Sequence, residues 1–335
     1  MTTRIALALL IALFCGAGRA QDASPYAIDI PPWFANTFLD FREDVADAAR
    51  DGKRLMAYFG QDGCPYCRAL MKGNFSQRDI VHKMHEHFVA IALNIHGDRE
   101  TMWLDGETRT EKALARFLDV QFTPTLLFFD EQGKVVARLN GYYPPGRFTA
   151  VLDYVASHAE GHETLGSYLS RTVARDPRAG LRDEPFFLGA PHDLTRRAGS
   201  KPLAVLFETT GCRDCEQLHE EAFRRSEVQR ELARFDVARF ALGAATPLTT
   251  PDGRHTTADA WARDLRIAYT PSIVFFDDGG REVFRVDAYM RPFHLASGLD
   301  YVASGAYRSE PSFQRFIEAR ADRMRAEGVT VDLWR

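Results

Sequence analysis

Cysteine is scarce in this chain. Five residues among 335 are too few for a small scaffold stapled together by disulfides. Charge of one sign is also lacking: 42 Lys and Arg face 46 Asp and Glu. A balance this even raises no strong field for nucleic acid or an anionic lipid surface. Hydrophobic residues make up 45% and charged residues 26%, the usage of an ordinary globular protein. Wholesale disorder, a collagen-like chain and a multi-span membrane protein are excluded on that composition. At roughly 150 residues per domain, the length predicts two domains.

The N-terminus carries the pattern of an export signal. Arg4 precedes an unbroken apolar run, Ile5 to Cys15, and Gly16-Ala17-Gly18-Arg19-Ala20 follows. A basic start, a short apolar core and small residues before a cut describe a secretory signal peptide. As a helix the run rises only about 16 Å, well short of the roughly 30 Å hydrocarbon core of a bilayer. We therefore expect cleavage after Ala20. Phe14 stands before Cys15, where a lipoprotein needs a small residue. The mature chain then keeps four cysteines, an even number bound for an oxidising compartment. The Ala- and Arg-rich style points to a bacterial periplasm.

The chain repeats itself once. Lys53 to Phe59 (KRLMAYF) aligns with Lys201 to Phe207 (KPLAVLF), 148 residues later. At that offset Gly63-Cys64-Pro65-Tyr66-Cys67 matches Gly211-Cys212-Arg213-Asp214-Cys215. One residue is lost after Phe75, and the offset becomes 147. Thr123-Pro124 then matches Thr270-Pro271, and Asp153 to Ser157 (DYVAS) returns unchanged at Asp300 to Ser304. A solenoid needs three or more repeats, so two copies predict two complete domains. Charges, Pro and Gly replace apolar periodicity at Arg175 to Pro185. The expected organisation is a signal peptide at 1–20, domain one at 21–175, a linker at 176–185 and domain two at 186–335.

One copy reads as β-α-α-β-α-β-β-α. The apolar run Leu55–Phe59 is a buried strand, and Cys64–Gly73 a helix with Pro65 suited to its first turn. Ser76–His87 is helical, Phe88–Asn94 a strand, and Thr110–Leu118 a helix with Thr110 as its cap. Thr125–Phe129 and Lys134–Leu139 flank the turn Asp130-Glu131-Gln132-Gly133 as a hairpin. Gly146–Ser157 closes the unit as a helix. Helices between strands imply crossovers, and the final hairpin an antiparallel edge. Further helical patterns at 163–174 and 311–328 follow the two units.

Each copy carries one C-x-x-C where a strand hands over to a helix. There the first cysteine caps the helix, near unpaired N–H groups and the positive end of the dipole. Both lower the pKa of a thiol. The second cysteine lies one turn on. Cys67, Met71 and Phe75 share a helical stripe, so Cys67 faces inward and Cys64 is left as the accessible nucleophile; Cys212 and Cys215 repeat the arrangement. A c-type haem needs His directly after the motif, and Arg68 and Glu216 stand there instead. A single zinc shared by the pairs would have to bridge two domains. Thiol–disulfide chemistry is the leading reading, with inert structural disulfides and soft-metal handling such as Cu(I) as the alternatives.

Strand, C-x-x-C helix and a Thr-Pro opening a later strand together resemble the thioredoxin fold. The resemblance implies an α/β protein of two tandem thioredoxin-like domains, each a mixed central sheet flanked by helices. It also implies cis bonds at Thr123-Pro124 and Thr270-Pro271, prolines packed on the disulfides Cys64–Cys67 and Cys212–Cys215, and substrate backbone bound at Thr123 and Thr270. Those disulfides would be the redox groups, with no further cofactor and no metal. Copy one is similar to SoxW-like periplasmic thioredoxins through GCPYC, LNIHGDRE, DGETRTEKALARFLDVQFTPTLLFFD and GYYPP. By that resemblance the role is reductive. Electrons would come from a membrane thiol transporter of the CcdA or DsbD kind and pass to an exported protein with a disulfide or thiol. A disulfide isomerase or oxidase is the nearest rival, and a non-catalytic binding module the more distant one. The chain departs from thioredoxins in several places. Gly63 and Gly211 replace the Trp before the first cysteine, and Tyr58 and Leu206 stand where many members keep a buried Asp.

His219 follows Cys215 by four residues, on the same helical face, where copy one has Met71. It is a candidate proton acceptor for Cys215, the alternative being a half-buried histidine satisfied by backbone or water. His82, His85 and His87 form either a metal patch or a solvated face. Asp98, Arg99 and Glu100 open a charged insertion near where substrate would approach, either as selectivity contacts or as a plain solvated loop.

Overall fold

The structure is a computed structural model describing residues 28–172 and 181–331. The expected signal peptide lies outside the described residues, as does the first half of the expected linker.

Copy one runs α1 (Phe41–Arg50), β1 (Arg54–Gly60), α2 (Pro65–Ala69), α3 (Arg78–His87), β2 (Phe88–Asn94), β3 (Glu100–Met102), β4 (Thr108–Thr110), α4 (Glu111–Phe117), β5 (Thr125–Phe129), β6 (Val135–Asn140), α5 (Pro145–Ala156) and α6 (Leu165–Thr172). Its main sheet has the order β2-β1-β5-β6. β1 pairs parallel with β2 and antiparallel with β5, and β5–β6 is the antiparallel hairpin expected at the edge. All seven residues of β1 are buried, as a central strand covered on both faces requires. Successive side chains point to opposite faces. Met56 and Tyr58 enter a core built with Ile80, Met84, Phe148 and Val151 from α3 and α5. Leu55, Ala57 and Phe59 enter the other, with Phe41 and Val45 from α1 and Leu114 from α4.

Copy two repeats the plan as β7 (His192–Asp193), β8 (Leu203–Glu208), α7 (Arg213–Gln217), α8 (Ser226–Leu232), β9 (Asp236–Ala241), β10 (Pro247–Thr249), β11 (His255–Thr257), α9 (Ala258–Asp264), β12 (Ser272–Phe276), β13 (Glu282–Val286), α10 (Pro292–Ala303) and α11 (Phe313–Ala326). The sheet β9-β8-β12-β13 matches that of copy one strand for strand. Where copy one has α1, the described residues of copy two have the short strand β7, paired parallel with β10.

Three features depart from the sequence reading. Helix α1 was not expected; Asp40 caps it by accepting from Arg42 N and Glu43 N, and Phe41, Val45 and Ala48 form its buried stripe. The C-x-x-C helix is not uniform. After Ala69 it widens into a π-helical turn, Leu70–Asn74, closed by Phe75 N donating to Leu70 O. Copy two repeats this at Leu218–Ala222. The charged insertion at Asp98–Glu100 leads into a two-stranded hairpin, β3–β4.

The domains meet about a pseudo-twofold axis. Asn140 Nδ2 donates to Asp287 Oδ2 at 3.0 Å, and these two residues are equivalents at the repeat offset of 147. Gly141 faces its own equivalent, Ala288, and takes a φ of 96°, which side-chain-bearing residues rarely adopt. Aromatic residues cross reciprocally. Phe122 packs on Phe284 and Phe313 of domain two, and its equivalent Tyr269 packs on Tyr143 of domain one. Self-complementary use of one patch is the geometry of a twofold dimer interface, here built within a single chain.

Candidate active sites

Each C-x-x-C sits at the start of its helix as the spacing predicts. Cys64 caps α2 and Cys212 caps α7, both with extended backbone. Cys64 Sγ accepts from Cys67 N at 3.0 Å, and Cys212 Sγ accepts from Cys215 N at 3.1 Å. An N–H aimed at the sulfur favours its charged form. Both pairs are disulfide-bonded, Cys64 to Cys67 and Cys212 to Cys215, with Cα atoms 5.2 Å apart in each.

The Thr-Pro segments lie against the sulfurs. Thr123-Pro124 and Thr270-Pro271 are cis. Cys64 Sγ is 3.3 Å from Thr123 O, and Cys212 Sγ is 3.6 Å from Thr270 O. The Thr123 hydroxyl also donates to Cys64 Sγ at 3.3 Å. The structure thus brings Cys64, Cys67, Thr123 and Pro124 together in one site, and Cys212, Cys215, Thr270 and Pro271 in a second.

Cys67 is wholly buried, as its helical stripe predicts, but Cys64 is not open to solvent: its exposure is 4%, and that of Cys212 is 2%. The reason is the domain interface, which a single-copy reading cannot show. Cys64 borders a cavity of about 170 Å³ whose far wall is domain two, including Met290, Phe313 and Ile317. Cys212 borders one of about 350 Å³ walled by Arg147, Ser167 and Leu169 of domain one. Three hydrogen bonds tighten the first site. Gln61 Nε2 donates to Thr123 Oγ1 at 3.2 Å and to Gln314 Oε1 of domain two at 2.6 Å. The main-chain N–H of Arg291 donates to the Tyr66 hydroxyl at 2.9 Å. Burial, opposed by that N–H, pushes the Tyr66 phenol up to about 12.

His219 lies in the π-helical turn behind Cys215, at 1% exposure. Its Nδ1 is 2.9 Å from Glu184 Oε1 and its Nε2 is 3.0 Å from Glu208 Oε1. Burial disfavours the charged ring, but the two carboxylates outweigh it and raise the pKa. Both ring nitrogens are taken up by these carboxylates, and neither is turned to Cys215. Arg224 completes the cluster with two bonds to Glu184, at 2.8 and 3.2 Å. Glu208 Oε2 is buried without a hydrogen-bond partner.

Copy one has Gly60 and Met71 at the positions of Glu208 and His219, and the Tyr58 hydroxyl occupies the space a side chain on Gly60 would fill. Comparison of the two copies position by position would have exposed this paired exchange. Sequence reasoning also missed Gln61, Arg147 and Gln314, whose roles arise only across the interface. His82 contacts Glu86 at 3.5 Å, and His85 packs on Trp33. Among the described residues no group of three or more His, Cys, Asp or Glu is arranged to hold a metal ion, and no helix is long and apolar enough to cross a membrane.

Known proteins share this architecture. The model of the thioredoxin-like domain family matches residues 41–156 and 194–303, together about two-thirds of the chain. A thiol:disulfide interchange protein DsbD from Pseudoalteromonas atlantica is 26% identical over 161 residues, covering 43% of this chain and 25% of its own length; the match spans only about a quarter of that relative. Among solved structures, a thioredoxin-fold protein from Helicobacter pylori is 25% identical, with a TM-score of 0.33 over 41% of this chain and 91% of its own. A Thermus thermophilus thioredoxin is 26% identical, with a TM-score of 0.29 over 37% and 92%. Two helix-capping C-x-x-C disulfides, each against a cis-proline segment, are the arrangement of a thiol–disulfide oxidoreductase. The chain belongs to the thioredoxin-like domain family, two copies of which it carries in tandem.

Proposed function

We propose that this thiol–disulfide oxidoreductase is exported to a bacterial periplasm and there reduces disulfides of other exported proteins, using both pairs. The observation that carries this reading is the paired geometry at Cys64 and Cys212. Each sulfur accepts a helix N–H and lies within 3.6 Å of the carbonyl preceding a cis proline. The Cys64 or Cys212 thiolate attacks one sulfur of the substrate disulfide, and the other substrate sulfur leaves as a thiolate. The substrate backbone lies beside Thr123-Pro124 or Thr270-Pro271 in the mixed disulfide. Cys67 or Cys215 then loses its proton and attacks that mixed disulfide, releasing the second substrate sulfur and closing the protein disulfide.

On this reading a donor dithiol reduces the pairs again. A membrane transporter of the CcdA or DsbD kind supplies it, in keeping with the likeness of this chain to part of a DsbD protein and with the SoxW-like stretches of copy one. The leader at 1–20, the domains 21–175 and 186–335 and the linker 176–185 belong to the same proposal. We assign His219 a structural role in the buried cluster in place of proton acceptance from Cys215, because Glu184 and Glu208 occupy both ring nitrogens.

The test is the redox state of each pair in living cells. Cells are quenched with acid and free thiols are tagged with a heavy maleimide, each pair being read in a variant lacking the other. Largely reduced pairs in the oxidising compartment support the reductase. Fully oxidised pairs overturn it and leave the oxidase or structural-disulfide readings.

A further inference from the structure

The second site is completed by a residue from the first domain. Arg147 stands in the first turn of α5 and reaches across the interface. Its Nη1 donates to Thr270 O at 2.9 Å, and its Nη2 lies 4.0 Å from Cys212 Sγ. The guanidinium rests on the Tyr269 ring, 4.5 Å from its centroid. The side chain is only 17% exposed, so solvent screens it weakly. Its equivalent in copy two, His294, packs edge-on against Tyr66 at 5.1 Å in the first site. Burial, reinforced by the charge of Arg291, pushes His294 down to about 4, so it is neutral near pH 7.

We propose that Arg147 stabilises the Cys212 thiolate from the opposite domain, and so sets the reactivity of the second site apart from that of the first. Other charges face the same sulfur region. Asp214 sits two residues along α7 and opposes a thiolate, but its carboxylate is turned to the Tyr269 hydroxyl at 2.6 Å and to Arg147 at 3.9 Å. Arg213 opens α7 on the same turn. On the cavity wall Arg263 is paired with Asp259. The Glu208–His219–Glu184 cluster is held together by its own ion pairs. The Arg213 side chain is exposed, and among the described residues Arg147 is the cation whose guanidinium reaches Cys212 Sγ. When a donor dithiol reduces this pair, the donor becomes a disulfide, the Cys212–Cys215 bond breaks, and Cys212 thiolate, Cys215 thiol and one proton result. Arg147 favours that product.

This inference rests on the reading of Cys212 as a reacting thiolate, yet its test needs no substrate. Thiolate ultraviolet absorbance is titrated in reduced protein carrying C64S and C67S, with Arg147 intact or as R147M or R147K. An opposite charge this close shifts a pKa by about one unit or more, so R147M is expected to lower the thiolate fraction about tenfold below the pKa. It should also make the pair more reducing by about 30 mV, the value of a tenfold change for a two-electron couple. R147K, which keeps the charge, should recover part of both. Cys64, titrated in a C212S and C215S background, should not respond to R147M. A Cys212 pKa unmoved by R147M overturns the proposal, as does an equal shift at Cys64, which would mark a general loosening of the interface. If R147M does not fold, the same reading is taken on R147Q.

Discussion

Replacing His219 with Met, the residue copy one carries at that position, strips a buried ion cluster of the only cation that pairs with Glu208 among the described residues. Glu208 and Glu184 have side-chain exposures of 2%. Glu184 retains Arg224, but Glu208 Oε1 loses its one partner and Oε2 already has none. Removing one member of a buried pair typically costs about 3–5 kcal/mol, and we expect a loss of that size in domain two. The pH dependence follows from direction. His219 has a raised folded pKa, so its contribution is full below its unfolded value of about 6.5 and is lost as pH rises through the folded value. H219M should therefore fall furthest below the parent protein near pH 6, and the gap should narrow as pH rises through the folded value. Adding E208Q should return a large share of the loss. The assay is native-state hydrogen exchange of the β8 and β9 amides, which reads domain two separately from domain one. Equal protection in H219M and the parent protein near pH 6, or no recovery on adding E208Q, would refute the cluster as a source of stability.

Domain one has its own buried charge, Arg54, bonded to Glu131 and Glu160 at 2.8 Å each and to Val155 O at 2.7 Å. R54M should cost domain one about 3 kcal/mol, the low end for a broken buried pair because both carboxylates are partly solvated. Hydrogen exchange of β1 reads it. The Arg54 hydrogen bond, against some burial, holds the Glu131 carboxyl below its usual range, so its share of that stability is present above about pH 4.5 and lost as pH falls through the depressed value. G141A forces a side chain onto a backbone at φ 96° and should weaken the interface by about 1–3 kcal/mol. Because the interface covers Cys64 and Cys212, faster alkylation of both in reduced protein is the expected sign, and unchanged rates would mean that domain separation does not limit access.

The main sheet was legible because its strands are apolar runs bounded by turn residues, and both copies spell them out. Phe88–Asn94 and Thr125–Phe129 match residue for residue. The cysteine sites were legible for a different reason: C-x-x-C after a strand and Thr-Pro before one are local signals, and the fold merely brings them together. Helix α1 was missed although Asp40, Phe41, Val45 and Ala48 carry its cap and stripe, because the described residues of copy two hold no counterpart that repeats its pattern. The π-helical turns break the 3.6-residue period without any residue type to announce them. The covering of Cys64 and Cys212 was out of reach from one copy. It depends on Phe122, Asn140, Tyr269 and Asp287, single residues at the ends of strands and in loops, where no periodicity marks a partner. Glu208 closes the apolar run LAVLFE and looks like a strand end turning to water; only the fold shows it buried against His219.

The most direct test of the whole account is to trap the mixed disulfide. C67S with C215S removes both resolving thiols and leaves Cys64 and Cys212 to attack. Expressed in cells and resolved without reductant, this variant should carry disulfide-linked partner proteins that vanish on adding dithiothreitol, and further substitution of Cys64 and Cys212 by Ser should abolish every adduct. Absence of adducts at both cysteines, while the native pairs stay oxidised, would contradict the assignment of these sites to disulfide exchange.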